Sequence, residues 1–175
     1  MIRFFTQLSI AILIPVLTGL TLPENKSVPV ASHDYPDQLP GAFTGGFGEE
    51  TCNTCHFDYD INPEGGSLTV EGLEENYQPG ERYEITVTVE SERLERGGFQ
   101  MTARFGDGTQ AGQFEWEGNR LGLTSATADE IQYIQHTPVG TNPTSEKEVR
   151  WSFIWEAPDK PSEPVTFNIT ANAGN

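Results

Sequence analysis

The sequence predicts an all-β fold, and within that class a β-sandwich. Short segments after Gly66 alternate apolar and polar residues, which is the pattern of strands with one buried face. Turns rich in glycine, proline and aspartate separate these segments, and no long stretch shows the 3.6-residue apolar period of a helix. Several short strands joined by such turns are typical of two packed sheets.

The predicted strands follow one another along the chain at 68–70, 85–89, 99–105, 114–116, 151–155 and 165–169. Ile85, Val87 and Val89 give the clearest alternation, because polar or charged residues fill every position between them. The segment 151–155 presents an aromatic face and is stopped by Ala157 and Pro158. The glycines of 106–108 (GDG) predict a turn after the third strand.

The N-terminus predicts export. Residues 1–22 combine Arg3 with an apolar run at 8–20, which fits a signal peptide and is short for a membrane span. No small-x-small cleavage site follows, so an uncleaved N-terminal anchor stays open. Residues 23–40 are polar and contain several prolines, as in a flexible linker, and 41–175 form the sandwich domain. We expect a periplasmic or extracellular protein.

The charge is strongly acidic, with 10 Lys and Arg against 26 Asp and Glu and a net charge of −16. Nucleic acids and anionic membranes are bound by basic surfaces, so neither is an expected partner. Membrane contact is expected only through an uncleaved N-terminal segment. An acidic redox protein would be complementary to a basic redox partner, whose identity the sequence does not give.

The pentapeptide 52–56 (CNTCH) holds both cysteines of the chain and one of its three histidines. Cys-x-x-Cys-His is the attachment motif for c-type haem. Cys52 and Cys55 are placed to form thioethers to one haem, and His56 to bind its iron as the proximal ligand. The sequence therefore predicts one covalent haem c.

Other interpretations of the two cysteines stay open at this point. An exported domain can keep a structural Cys52–Cys55 disulfide oxidised. A thioredoxin-like redox pair needs a helix after the second cysteine, whereas residues 57–63 (FDYDINP) are typical of a loop. A zinc site needs four ligands, and the remaining histidines do not have the spacing of a zinc module.

A second axial ligand is expected for electron transfer, and histidine and methionine are the usual choices. His136 is the first candidate, in the segment 132–137 (QYIQHT); if this segment is extended, His136 projects to the same side as the apolar Ile134. Met101 shares a strand face with Phe99, which favours a core role. His33 lies in the linker.

The chain also resembles a known family, on pieces that occur in order along it. They are 41–42 (GA), 51–56 (TCNTCH), 72–73 (GL), 77–83 (YQPGERY), 85–89 (ITVTV), 98–100 (GFQ), 136–137 (HT), 151–158 (WSFIWEAP), 165–167 (VTF) and 171–172 (AN). In these it is similar to Reeler (reelin-like) domains, and most to the exported bacterial "choice-of-anchor V" type. The resemblance implies an extracytoplasmic, immunoglobulin-like antiparallel β-sandwich. Many bacterial members carry the Cys-x-x-Cys-His and a later His-Thr, which correspond here to Cys52, Cys55, His56 and His136.

Two functions are expected from these observations. The first is an exported monohaem c-type protein for electron transfer or haem-based sensing, with His56 and His136 as iron ligands. It is not an enzyme, and peroxidase-like activity enters only if the distal haem position is open. The alternative is a non-enzymatic adhesion or carbohydrate-binding module with a Cys52–Cys55 disulfide. Its sugar platform would use Trp116, Trp151, Trp155 and Tyr133, although the alternation of 151–155 favours a core role for the two tryptophans there.

Overall fold

The structure is a computed structural model, and it describes residues 42–57, 60–62, 64–124, 130–159 and 163–174. The predicted signal peptide or anchor at 1–22 and the linker at 23–40, which contains His33, lie outside the described residues. No helix in the described ranges has the length and apolar character needed to cross a bilayer.

Two antiparallel four-stranded sheets form the described fold, which confirms the predicted β-sandwich. The strands are β1 (Gly66–Glu71), β2 (Arg82–Ser91), β3 (Arg96–Phe105), β4 (Gln113–Glu115), β5 (Leu121–Leu123), β6 (Ile134–His136), β7 (Glu148–Glu156) and β8 (Val165–Gly174). The first sheet has the order β1-β2-β7-β4 and the second sheet the order β5-β6-β3-β8. Short 3₁₀ helices lie at Cys52–Thr54 and Val139–Thr141.

The core lies between the two sheets and is rich in aromatic rings. Phe99 of β3 packs against Trp151 of β7, with ring centroids 4.7 Å apart, and stacks on Phe153 at 6.0 Å. Trp155 meets Phe167 of β8 edge to face at 4.9 Å. Burial of each such ring contributes on the order of 1.5–3 kcal/mol, so the alternating aromatic positions of β7 hold the sheets together.

All six predicted strands are present, and the differences lie in short or glycine-containing segments. Strand β5 was not predicted because three residues (LGL) are too few to show a period. Strand β8 extends from the predicted 165–169 to Gly174, because the whole of 165–174 pairs with β3 through the backbone. Strand β3 likewise begins at Arg96, before the two glycines that precede Phe99.

Strand β3 is buried on both faces, which is unusual for a strand in a two-layer sandwich. Its inward residues face the core, and its outward residues Gln100, Thr102 and Arg104 are 4%, 0% and 6% exposed. Residues 42–57, hereafter the motif segment, lie on this outer face: the Phe43 amide donates to Gln100 Oε1 at 2.7 Å. The segment that carries the Cys-x-x-Cys-His pentapeptide is therefore docked on the second sheet.

Candidate functional site

The Cys-x-x-Cys-His pentapeptide forms a tight helical turn. Its 3₁₀ helix, Cys52–Thr54, is followed by a bond from the His56 amide to the Cys52 carbonyl at 2.9 Å, and the Cys55 amide donates to the same carbonyl at 3.2 Å. Residues spaced three and four apart on a helical turn lie on one side of it. The two sulfurs and the His56 imidazole are thus carried by the same side of one turn.

Cys52 is the anchored cysteine of the pair. Its Sγ lies 3.1 Å from Thr170 Oγ1 on β8. Because the Thr170 hydroxyl donates to the Phe43 carbonyl at 2.6 Å, the Cys52 thiol is the donor in this contact. Burial raises the pKa of Cys52 above its usual value. Cys55 is exposed, and both cysteines are free thiols rather than a disulfide.

His136 is the last residue of β6, and its imidazole lies beside the backbone of Phe99 on β3. Its Nδ1 is 3.0 Å from both the amide nitrogen and the carbonyl oxygen of Phe99. The two contacts belong to different tautomers. When Nδ1 accepts from the Phe99 amide, the ring proton is on Nε2; when Nδ1–H donates to the Phe99 carbonyl, Nε2 has the free lone pair. Histidines that bind metals usually have their second ring nitrogen held in this way.

The position of His136 differs from the inward orientation expected for an extended segment. A Cβ built on Gly98 would lie 2.6 Å from His136 Cε1, so the ring occupies the space beside this glycine. Phe99 faces the core, and strand alternation places the Cβ position of Gly98 on the opposite, outer face. The side chain turns outward because β6 stops at His136 and leaves the Phe99 backbone groups to be bonded by the ring.

The surroundings of His136 lower its pKa. Burial is the largest cause lowering the pKa of His136, the Phe99 backbone bond opposes it, and the charge of His56 lowers it further. A neutral imidazole is the form that binds a metal.

Sheet register relates the two halves of the site. Gln100 of β3 lies opposite Gln135 of β6 on one side and Thr170 of β8 on the other. The strands that carry His136 and the Cys52 contact are therefore separated only by β3, on the order of 10 Å apart. The structure brings Cys52, Cys55, His56 and His136 to one outer region of the second sheet.

Met101 does not reach this region. It is fully buried, at 0% exposure, and packs in the core between the sheets. The alternation of β3 places it on the face opposite to Gly98 and the motif segment. Of the two described candidates for a second axial ligand, only His136 lies on the side of the cysteines.

A buried polar cluster, which the sequence did not reveal, lies beside the motif. In this Glu49 cluster, the Arg104 guanidinium donates to Glu49 Oε1 and to the Tyr133 hydroxyl, and Tyr133 donates to Glu49 Oε1 at 2.7 Å. Thr44 adds a bond to Glu49 Oε2 at 2.6 Å, and the Phe47 ring lies 5.0 Å from the Arg104 guanidinium carbon. Burial acts to raise the pKa of Glu49, but these bonds and the Arg104 charge outweigh it and lower the pKa.

Exposed apolar side chains flank the pentapeptide. Phe57, directly after it, is 74% exposed, and Ile61 and Phe47 are 64% and 48% exposed. Large apolar side chains that cluster on a soluble surface commonly mark a contact with a ligand or partner. In the sequence, Phe47 precedes the two cysteines, and Phe57 and Ile61 follow them.

The aromatic platform expected for a sugar-binding module is not on the surface. Trp151 and Trp155 are each 2% exposed, and their indole nitrogens donate to the carbonyls of Gly140 and Ala111 at 2.9 and 3.0 Å. Tyr133 is 9% exposed and belongs to the Glu49 cluster, and Trp116 packs against the core. The core role favoured for the two tryptophans is confirmed.

The described donors are of the residue types that could hold a haem. Within the described ranges, no three His, Cys, Asp or Glu side chains converge as an ion site. A protein zinc site takes three or four such ligands, whereas a porphyrin supplies four nitrogens and needs only axial ligands from the chain. Two sulfurs on one turn, an adjacent histidine and an oriented second histidine meet that need.

Fold and site together define the class: an antiparallel β-sandwich domain with a Cys-x-x-Cys-His segment docked on the outer face of one sheet. The Reeler domain family model matches residues 50–173, and the chain belongs to that family. No curated protein matched the chain.

Solved structures similar to the chain include two from F-spondin and one from a chitinase. The Reelin-N domain of F-spondin is 21% identical, with 62% of this chain and 72% of that chain covered and a TM-score of 0.47. The human F-spondin reeler domain (fragment 2) is 20% identical, with coverage of 63% and 79% and a TM-score of 0.40. The chitin-binding domain of a Pyrococcus furiosus chitinase is 17% identical, with coverage of 66% and 94% and a TM-score of 0.36.

Proposed function

We propose that this protein is an exported Reeler domain of the choice-of-anchor V type that carries one covalent haem c for electron transfer or haem-based sensing. The observation that carries the proposal is the His136 imidazole, held by the Phe99 backbone on the same outer face as the cysteine motif. In the tautomer that donates from Nδ1 to the Phe99 carbonyl, His136 has Nε2 available as a metal ligand.

Four residues would hold the group. Cys52 and Cys55 would each hold the haem by one thioether, formed by addition of the thiol S–H across a vinyl double bond, which needs no oxidant. His56 would bind the iron, because it follows the second cysteine directly. His136 would supply the second imidazole. Bound haem supplies reversible one-electron chemistry, and the chain fixes its axial ligands and surroundings.

Ligation by both imidazoles favours electron transfer over catalysis, because no position is left for a substrate on the metal. The sandwich fixes His136, and the exposed Phe57 and Ile61 present apolar surface close in sequence to the cysteine motif. A net charge of −16 favours a basic redox partner over an acidic one.

The test is a pyridine haemochrome spectrum of denatured protein made in a host with c-type haem maturation. We expect a c-type spectrum for the wild type and none for the Cys52→Ser, Cys55→Ser double variant. The native protein should be low-spin, and His136→Ala should turn it high-spin. Met101→Leu is the matched control and should keep the wild-type spectrum, because Met101 is a core residue.

A colourless wild type from a competent host would end the haem proposal. A c-type spectrum that stays low-spin in His136→Ala would keep the haem and remove His136 as the distal ligand. A change in Met101→Leu, with His136→Ala unaffected, would assign that role to Met101.

The second candidate is a non-enzymatic extracellular binding or adhesion module without haem. It is favoured by the family match, since it requires only the fold and family already established for the chain. A colourless protein that holds a Cys52–Cys55 disulfide after export would support it. Thiol titration under denaturing conditions distinguishes the states, with two reactive thiols for the free form, as in the structure, and none for the disulfide.

A further inference from the structure

We propose that the Glu49 cluster is a lock that fixes the motif segment on the second sheet, and through it the placement of His56 relative to His136. The cluster joins Glu49 of the segment to Arg104 of β3 and to Tyr133 beside β6. Its residues touch neither cysteine, so their role is positioning. The haem part of this inference rests on the proposed function, and the docking part does not.

The lock is buried. The side chains of Arg104 and Glu49 are only 7% and 11% exposed. The Arg104 guanidinium carbon lies 5.0 Å from the Phe47 ring and 5.3 Å from the Tyr133 ring, so two aromatic groups enclose it. Burial of an ion pair costs solvation free energy, which only well-placed hydrogen bonds offset. The loss of one partner then leaves the other charge buried without compensation.

The lock acts near the cysteines because of its place in the chain. Glu49 is three residues before Cys52, and Thr44 pairs with Thr51 across the intervening turn. The Gly45 amide donates to the Glu50 carbonyl at 2.9 Å, which makes 44–51 a compact loop. Because this loop is bonded internally and Glu49 is bonded to Arg104, a displacement of Glu49 also displaces the helical turn that begins at Cys52.

The other hydrogen bonds between the segment and the sheet lie on β3 and β8. Phe43 bonds Gln100 and Thr170, and Cys52 bonds Thr170. Gln100 in turn donates to Gln135 of β6 at 3.0 Å, which is an indirect link through β3. The Glu49 cluster adds a direct bond from the segment to Tyr133, the residue before β6. Since β6 carries His136, this bond ties the cysteine motif to the strand of the proposed distal histidine.

The first experiment uses the full chain without haem, made in a host that lacks maturation. Hydrogen exchange is followed at the amides of Gly45 and Glu49, both bonded within the segment. Glu49→Gln keeps the shape and removes the charge, and we expect exchange at these amides to accelerate about tenfold or more. Tyr133→Phe removes one hydroxyl and should give a smaller acceleration. Glu92→Gln breaks an exposed ion pair with Lys147 and is the control.

The second experiment uses the haem-loaded protein and reads the spectrum. Glu49→Gln should shift the low-spin population toward high-spin while the haem stays covalently attached. A residue that only stabilises the fold would lower the melting temperature without this change. Arg104→Lys, which keeps the charge and loses the planar guanidinium between the Phe47 and Tyr133 rings, should give an intermediate spectrum.

The outcomes separate the two proposals. Unchanged segment exchange in Glu49→Gln overturns the lock, whatever the haem result. Accelerated exchange supports the role of the Glu49 cluster in docking the segment, even if the protein never binds haem. Failure to bind haem in a competent host would end the haem function. If Glu49→Gln does not fold, a Tyr133→Phe variant with wild-type exchange at Gly45 overturns the lock, and a faster one supports it.

Discussion

Gly98 is the residue on which the proposed distal ligand depends most directly. Its backbone is not in the left-handed region, so alanine is allowed there, but the added Cβ would lie 2.6 Å from His136 Cε1 and 2.9 Å from each ring nitrogen. Contacts under 3.0 Å force a displacement. The role of this glycine is therefore to leave room for an imidazole beside β3.

We predict that Gly98→Ala displaces the His136 ring from the Phe99 backbone. Overpacking of this kind costs about 1–3 kcal/mol, measured as the free energy of unfolding in urea. In haem-loaded protein, Gly98→Ala should weaken the low-spin spectrum, as we expect for His136→Ala.

Gly106→Ala is the matched control for Gly98→Ala. A Cβ at Gly106 meets no atom within 4 Å, and its backbone is not strained. This variant should keep both stability and spectrum. If Gly98→Ala is as stable as Gly106→Ala and keeps a low-spin spectrum, the His136 ring does not sit where the structure has it.

Thr170 is the second residue whose effect can be isolated. Its hydroxyl bonds both the Phe43 carbonyl and the Cys52 thiol, so Thr170→Val leaves both groups without this partner. We expect a loss of about 1–2 kcal/mol in the free energy of unfolding. In haem-free protein, maleimide labelling of Cys52 should also become faster, because the thiol is less anchored.

Thr170→Ser keeps the hydroxyl and should restore the slow labelling of Cys52. Cys55 is exposed in the structure and serves as the internal reference, since its labelling should not respond to either change. Equal labelling rates for Cys52 in the valine and serine variants would contradict the bond.

At the scale of elements, strand β3 shows what sequence alternation predicts about a strand and what it does not. Its alternation correctly placed Phe99, Met101 and Ala103 on the core face. The same alternation marks Gln100 and Arg104 as outward residues and says nothing about their burial, which is nearly complete. Burial of the outward face depends on the motif segment, which is more than forty residues away in sequence.

Strand β7 carries the largest share of the aromatic packing, and we predict that Phe153→Ala lowers the free energy of unfolding by about 3–5 kcal/mol. Phe153 is 3% exposed and contacts rings from both sheets, so truncation leaves a cavity that neither sheet can fill. Urea unfolding measures the effect.

Ser152→Ala is the control on the same strand. Ser152 faces solvent and bonds Thr86 at 3.0 Å, so its loss should cost less than about 1 kcal/mol. Similar losses for the two variants would mean that the sheet interface is not where the stability of the sandwich resides.

At the scale of the whole molecule, we predict a pH window for docking of the motif segment. Hydrogen bonds and the Arg104 charge lower the pKa of Glu49, so its contribution is present above the unfolded pKa of roughly 4 and is lost as pH falls through the folded value. Burial, with the bond to Glu49, raises the pKa of Tyr133 to about 12. Its contribution is present below roughly pH 10 and is lost as pH rises toward that value.

The measurement is the NMR signal of the Gly45 and Gly46 amides between pH 3 and pH 11. Both signals should keep their docked positions across the middle of this range and move at each end. Glu49→Gln should remove the acidic transition. An acidic transition of unchanged midpoint in that variant would assign it to other carboxylates, of which the chain has many.

The sequence by itself determined the sandwich and the Cys-x-x-Cys-His motif. Both are local properties: strand alternation has a period of two residues, and the two cysteines and His56 lie within five. The family followed from the order of short motifs along the chain and is confirmed over residues 50–173. His136 could be proposed as a partner of this motif because the chain has few histidines.

Only the tertiary structure decided where these residues lie in space. The outward turn of His136, the space left by Gly98 and the covering of β3 depend on contacts between segments 37 to 118 residues apart. Neither periodicity nor spacing encodes such pairings. Glu49, Arg104 and Tyr133 show this most clearly, because each is an ordinary polar residue in the sequence and becomes a buried cluster only when three distant segments pack together.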